Sequence, residues 1–196
     1  MSYFTKNVFV AYCFYLNQTK NFNTKKMTKK LILIACSLFV AQVSQAQGDK
    51  TAKTLPTNVQ LKDLTGKAVG SDELGKSGKI TVVSFWATWC TPCKKELNNI
   101  AEFYEEWQKE YDLQVVAVSI DDAQTASKVA TYTNASAWKF RVLLDANQDL
   151  KRALNVQSVP YTLLLNQAGQ VVYTHEGYVE GDEYALEDQI RKLTKK

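Results

Sequence analysis

The chain has 196 residues, with 24 Lys+Arg against 20 Asp+Glu, one histidine and four cysteines. Its 45% hydrophobic content is that of an ordinary globular protein, and the formal charge of +4 gives a misleading picture of its partners. The first 46 residues hold six lysines and no acid, so the other 150 carry 18 basic against 20 acidic side chains, a balance that excludes the electrostatic footprint of a nucleic-acid binder.

Residues 1–26 contain no acidic residue and no periodicity, and they read as an upstream extension of the reading frame. Met27 is the more convincing start. Lys29 and Lys30 form a short positive region, and Leu31 to Ala41 are apolar except for Ser37. Ser44-Gln45-Ala46 then sets small residues ahead of a cut before Gln47. Residues 27–46 are therefore expected to be a secretory signal peptide. The apolar run of about eleven residues is far short of the roughly twenty that span a bilayer. Leu33-Ile34-Ala35-Cys36 also resembles a lipobox, and lipidation at Cys36 is the one route by which the chain would contact a membrane. Either way the expected location is periplasmic or otherwise extracytoplasmic, where unprotected thiol pairs oxidise.

Residues 47–57 are polar, include Gly48 and Pro56, and read as a linker to a single domain over 58–196. Val59 to Val69 predicts a hairpin turning at Thr65-Gly66, and Ile80 to Trp86, rich in β-branched and aromatic residues, predicts a buried strand. A helix follows, with Leu97, Ile100, Ala101, Tyr104 and Trp107 recurring at three and four. Next come a strand over Leu113 to Ile120, a helix over 123–133, a short strand over Phe140 to Leu144 and helical turns over Gln148 to Leu154. Tyr161 to Leu165 and Val171 to Thr174 predict a second hairpin across Asn166-Gln167-Ala168-Gly169, and a last helix starts near Gly181. The alternation gives an α/β fold, with a mixed sheet flanked on both faces by helices.

Cys90 and Cys93, in Trp89-Cys90-Thr91-Pro92-Cys93, are the only cysteines after the signal. Two intervening residues let the sulfurs close into a small ring and reopen, which points to reversible thiol–disulfide exchange. Two other readings stay open. Half of a zinc site would need about four ligands, and His175 is the only nitrogen donor. A structural disulfide would close too short a loop to add much stability.

Phe85-Trp86-Ala87-Thr88-Trp89-Cys90-Thr91-Pro92-Cys93-Lys94-Lys95-Glu96, with Val159-Pro160-Tyr161-Thr162 further on, resembles the thioredoxin-fold proteins of the TlpA/ResA-like group. The resemblance runs from about Val59 to the C-terminus. It implies a thioredoxin-like mixed sheet with an N-terminal hairpin and a central strand–helix insertion, for which the stretch from Asp121 to Pro160 leaves room. It also implies an exported protein thiol–disulfide oxidoreductase with no cofactor beyond the Cys90–Cys93 disulfide and no metal. The implied partners are cysteine-containing client proteins, apocytochrome c among them, and a membrane thiol electron carrier.

Cys90 falls at the mouth of the helix, with Pro92 in its first turn, so unpaired amides and the helix dipole should stabilise a thiolate there. Cys90 is then the attacking sulfur and Cys93 the resolving one. Many thioredoxins carry a buried aspartate six residues before the first cysteine. Here that position is Ser84, which is no base. Read alone, Glu96 is a solvated helix residue, but the resemblance makes it a functional glutamate with a raised pKa. The resemblance likewise makes Pro160 the family's cis-proline, with Val159 offering backbone groups to a substrate strand. Trp89, Thr91 and Pro92 flank the sulfur and are expected to meet substrate. Trp86 is divided between core and site, His175 reads as a strand residue without a function, and Asp121-Asp122 as a solvated turn.

Two rival functions are each set against a feature of this chain. A thiol peroxidase usually sets a threonine three before its reactive cysteine, where this chain has Ala87. A copper-delivery module tends to wider cysteine spacing with a partner histidine.

Overall fold

The structure, a computed structural model, describes residues 53–194; the expected upstream extension, the signal peptide with Cys36, and the linker up to residue 52 lie outside them. Seven strands form one sheet in the order β2-β1-β5-β4-β3-β6-β7. β1 (Gln60–Asp63) and β2 (Ala68–Gly70) make the hairpin, followed by a 3-10 turn at Ser71–Gly75. Asp63 Oδ1 accepts from the Thr65 and Lys67 amides, and Gly66 takes φ 89°, a conformation that glycine alone adopts freely.

β3 (Ile80–Trp86) is buried at every position, so both of its faces are covered. It pairs in parallel with β4 (Leu113–Ser119) and antiparallel with β6 (Tyr161–Leu165). α1 (Thr91–Tyr111) connects β3 to β4; its inward stripe includes Leu97, Ile100, Tyr104 and Trp107. α2 (Ala126–Ala135), β5 (Arg141–Leu144) and α3 (Asp149–Ala153) fill the stretch between β4 and β6. β5 joins β4 in parallel and β1 antiparallel, which ties the N-terminal hairpin to the sheet. β7 (Val171–Glu176) forms the far edge and alternates half-buried with exposed residues, and α4 (Asp182–Thr194) returns to pack beside α1. This is the thioredoxin-like mixed sheet expected, insertion included.

Most boundaries lie within two residues of expectation, and two depart further. The second helix starts at Ala126 rather than 123, because Asp122 Oδ1 accepts the Gln124 and Thr125 amides in a turn that precedes it. The end of the expected linker is packed: Thr54 bridges Gln170, the Val171 amide donates to the Lys53 carbonyl at 2.8 Å, and Leu55 is buried. Among the described residues no helix is long and apolar enough to cross a membrane.

Candidate active site

β3 delivers the chain to the end of the sheet, and three contacts fix the loop that follows. The Ile120 amide donates to the Trp86 carbonyl at 2.8 Å, and the Cys90 amide to the Ala87 carbonyl at 3.0 Å. The third contact is Asp121, at the end of β4. It takes the Thr88 amide on Oδ2 at 2.8 Å, the Thr88 hydroxyl on Oδ1 at 2.6 Å and the Ser119 hydroxyl on Oδ2 at 2.8 Å. Asp121 is fully buried, which corrects the reading of Asp121-Asp122 as a solvated turn; only Asp122 is exposed. A carboxyl with several donors close by can be buried without an unmet hydrogen-bonding cost.

Cys90 caps α1, and its Sγ accepts the Cys93 amide at 3.3 Å. Pro92 stands in the first turn, where its missing N–H removes no helix bond. The two cysteines form a disulfide with Cα atoms 5.3 Å apart; Cys93 is fully buried and Cys90 nearly so. On reduction the same amide and the positive end of a 21-residue helix face the Cys90 sulfur, an arrangement that favours its thiolate. The Val159 carbonyl lies 3.8 Å from Cys90 Sγ, and the Val159–Pro160 peptide is cis.

Glu96 sits one helical turn beyond Cys93 and is buried. Its Oε1 accepts from the Thr162 hydroxyl at 2.6 Å and its Oε2 from the Ser84 hydroxyl at 3.0 Å. Ser84 and Thr162 are direct partners in the β3–β6 register, so two strands present one pair of donors to one carboxyl. Burial pushes the Glu96 carboxyl up to about 7, although both hydroxyls pull it down, as does the charge of His175; Asp182 pushes it up. A carboxyl half-ionised near neutral pH can accept a proton and give it back.

Thr91, Pro92, Val159 and Pro160 thus flank the sulfurs, while Glu96 is buried one helical turn past Cys93. Trp89 is 61% exposed and lines a surface cleft with Thr88, Lys128 and Tyr132. Trp86 belongs to the core, fully buried with ring centroids 4.9 Å from Trp138 and 5.6 Å from Tyr132. Sequence reasoning missed Asp121, Thr162 and the service Ser84 gives to Glu96. The register pairing of three strands is the signal, and no local pattern carries it. His175, read as a plain strand residue, stands in β7 with Nε2 3.0 Å from Asp182 Oδ2. Among the described residues, no three His, Cys, Asp or Glu side chains cluster as metal ligands would.

The AhpC/TSA family model matches residues 52–174. The thiol-disulfide oxidoreductase ResA of Bacillus thuringiensis (strain Al Hakam) is 31% identical over 137 residues, covering 70% of this chain and 75% of its own. The sporulation thiol-disulfide oxidoreductase A of Bacillus subtilis (strain 168) is 24% identical over 160 residues, 80% of this chain and 95% of the relative. Among solved structures, a thioredoxin-like protein from Porphyromonas gingivalis superposes with a TM-score of 0.65 at 43% identity, over 72% of this chain and 92% of that one. With the sheet order, the capped cysteine pair and these likenesses together, the chain belongs to the AhpC/TSA family, as a ResA-like protein thiol–disulfide oxidoreductase of the thioredoxin superfamily.

Proposed function

We propose that this protein works outside the cytoplasm as a reductant of client-protein disulfides, with Cys90 as nucleophile, Cys93 as resolving thiol and Glu96 as the base that serves Cys93. The observation that carries this is the pairing of a helix-capping sulfur with a buried carboxyl one turn behind the second sulfur. Cys90 thiolate attacks a client disulfide, forming a Cys90–client bond and releasing one client thiolate. Cys93 passes its proton to the Glu96 carboxylate, attacks Cys90 Sγ and releases the second client thiolate. The two electrons now reside in the client, and the Cys90–Cys93 disulfide is restored. A thiol carrier at the membrane returns the enzyme to its dithiol form. Apocytochrome c and misoxidised exported proteins are clients of the right chemistry, since both present cysteines that must be reduced in an oxidising compartment.

Client binding falls to Trp89, Thr91, Pro92, Val159 and Pro160. The Val159 backbone beside the sulfur offers strand-type hydrogen bonds that ask little of client sequence, and Trp89 adds exposed aromatic area. The peroxidase reading gains no support, since Ala87 holds the expected threonine position and the neighbouring Thr88 hydroxyl is committed to Asp121.

The test is a trap. Cys93→Ser in the exporting cell should accumulate mixed disulfides between Cys90 and client proteins, whereas Cys90→Ser should accumulate none. In the reduced protein Cys90 should alkylate faster than Cys93 near neutral pH. Absence of trapped clients, or faster alkylation of Cys93, overturns the proposal.

A further inference from the structure

The row that begins with Ser84 and Thr162 continues one strand further. Thr162 pairs in register with His175 of β7, so Ser84, Thr162 and His175 lie side by side across three strands on one sheet face. β3 is buried throughout, whereas β7 is the edge, so the row leads from the interior outward. Beside it is a small cavity of about 10 Å³, the room one water needs, lined by both Glu96 and His175.

The titratable groups facing that space are Tyr173 and His175 from β7, Tyr178 from the following loop, and Asp182 and Glu183 from α4. Burial and Glu183 push the Tyr178 hydroxyl up to about 12, and burial raises Tyr173 as well, so neither exchanges protons near neutral pH. Glu183 is occupied by the Tyr178 hydroxyl at 2.9 Å and the Gly181 amide at 3.2 Å. Asp182 accepts the Val179 amide at 2.8 Å and meets His175 Nε2 at 3.0 Å. With Nε2–H directed at an acceptor-only carboxylate, the neutral imidazole keeps its lone pair on Nδ1. His175 is about one-third exposed. Of the groups lining this space, it is the one that can take a proton on a free ring nitrogen while the other nitrogen stays on Asp182.

We infer that His175, braced by Asp182, is the outlet through which the proton that Glu96 takes from Cys93 reaches solvent. The steps balance without electron movement. Cys93–SH and Glu96–COO⁻ become Cys93–S⁻ and Glu96–COOH. The carboxyl proton then crosses the cavity, by a water or by the Thr162 hydroxyl turning from donor to acceptor, to His175 Nδ1. The imidazolium, steadied by Asp182, releases the proton outside and Glu96 is again a base. This inference rests on the proposed service of Glu96 to Cys93. His175 acts through Glu96 and is a positioning and relay residue, not one that meets the client.

The experiment follows the coupling directly in the oxidised full chain, labelled with carboxyl-13C glutamate and 15N histidine. Removing a cation's influence with His175→Phe should move the Glu96 midpoint up by roughly half a pH unit. Glu96→Gln should move the His175 midpoint down by the same amount, because coupling between two sites is reciprocal. In the reduced protein, release of the second thiolate from an aromatic disulfide reports resolution by Cys93. His175→Ala should slow it severalfold at neutral pH, free imidazole should restore it, and His175→Gln should behave alike if folding of the alanine variant suffers. Midpoints that do not move, or a slowed rate that imidazole leaves untouched, overturn the relay. If Glu96→Gln leaves the resolution rate unchanged while the reciprocal shifts appear, the role of Glu96 at Cys93 fails and the coupling stands. If Glu96→Gln slows resolution and no reciprocal shift appears, only the relay fails.

Discussion

Ser84 donates to Glu96 Oε2 at 3.0 Å from the strand position six residues before Cys90, where many thioredoxins carry a buried aspartate. In this chain the carboxyl stands on the helix, and the strand contributes a serine that holds it. The buried carboxyl is therefore carried by the helix that Cys90 caps and that includes Cys93.

Burial raises the Glu96 carboxyl from 4.5 to about 7, so the folded protein holds a proton that the unfolded chain gives up. Stability from this group is fully present below about pH 4.5 and is lost as pH rises through 7, a loss on the order of 3 kcal/mol. Denaturant titrations of the oxidised protein at pH 5 and pH 8 should show that decline. Glu96→Gln should abolish most of it, which separates this group from Asp145, another carboxyl that burial pushes up.

Thr162→Val keeps the shape of the side chain and removes the shorter of the two donors to Glu96. The Glu96 midpoint should climb above 7 by about one pH unit, since a hydrogen bond that favoured the ionised form is gone. Stability should fall by about 1–2 kcal/mol. Carboxyl-13C titration and thermal melts of the oxidised protein measure both.

Asp121→Ala leaves the Thr88 amide and hydroxyl and the Ser119 hydroxyl without their acceptor in a buried place. A loss of about 2–4 kcal/mol is expected. The distinguishing readout is local. Amide exchange at Thr88 and Cys90 should speed up more than in the middle of β3, because Asp121 holds the loop rather than the sheet.

The two tryptophans should separate cleanly. Trp86→Ala empties a fully buried site between Tyr132 and Trp138 and should cost about 3–5 kcal/mol. Trp89 is 61% exposed, so Trp89→Ala should stay within about 0.5 kcal/mol of the parent. Its effect should instead fall on the rate with a folded client disulfide, and much less on a small aromatic disulfide.

Local chemistry made much of this fold legible. Ile80 to Trp86 is a strand over the very residues whose β-branched run announced it, and α1 buries the stripe its periodicity marked. The 3-10 turn at Ser71–Gly75 escaped notice because five residues with Leu74 as their one buried apolar side chain show no period. Leu55 reads as part of a polar linker because the segment that pairs with its neighbour Thr54, at Gln170, is more than a hundred residues away. Around the site the same division holds. The cysteines declare themselves by spacing, whereas the meeting of Ser84, Thr162 and His175 exists only once β3, β6 and β7 are in register. Asp121 is hidden for a related reason: acids at strand ends are usually wet, and two of its three donors belong to Thr88, 33 positions earlier.

The bridge between Thr54 and Gln170 has a mechanical meaning. β6 starts beside Pro160 and β7 doubles back, so Gln170 lies at the pole of the sheet opposite the cysteines. The polypeptide enters the fold at its base and the sulfurs ride at its crown. Chain entry and reactive sulfurs therefore stand at opposite ends of the strands, so a pull on Lys53 is borne by the β7 edge and not by the loop that holds Cys90.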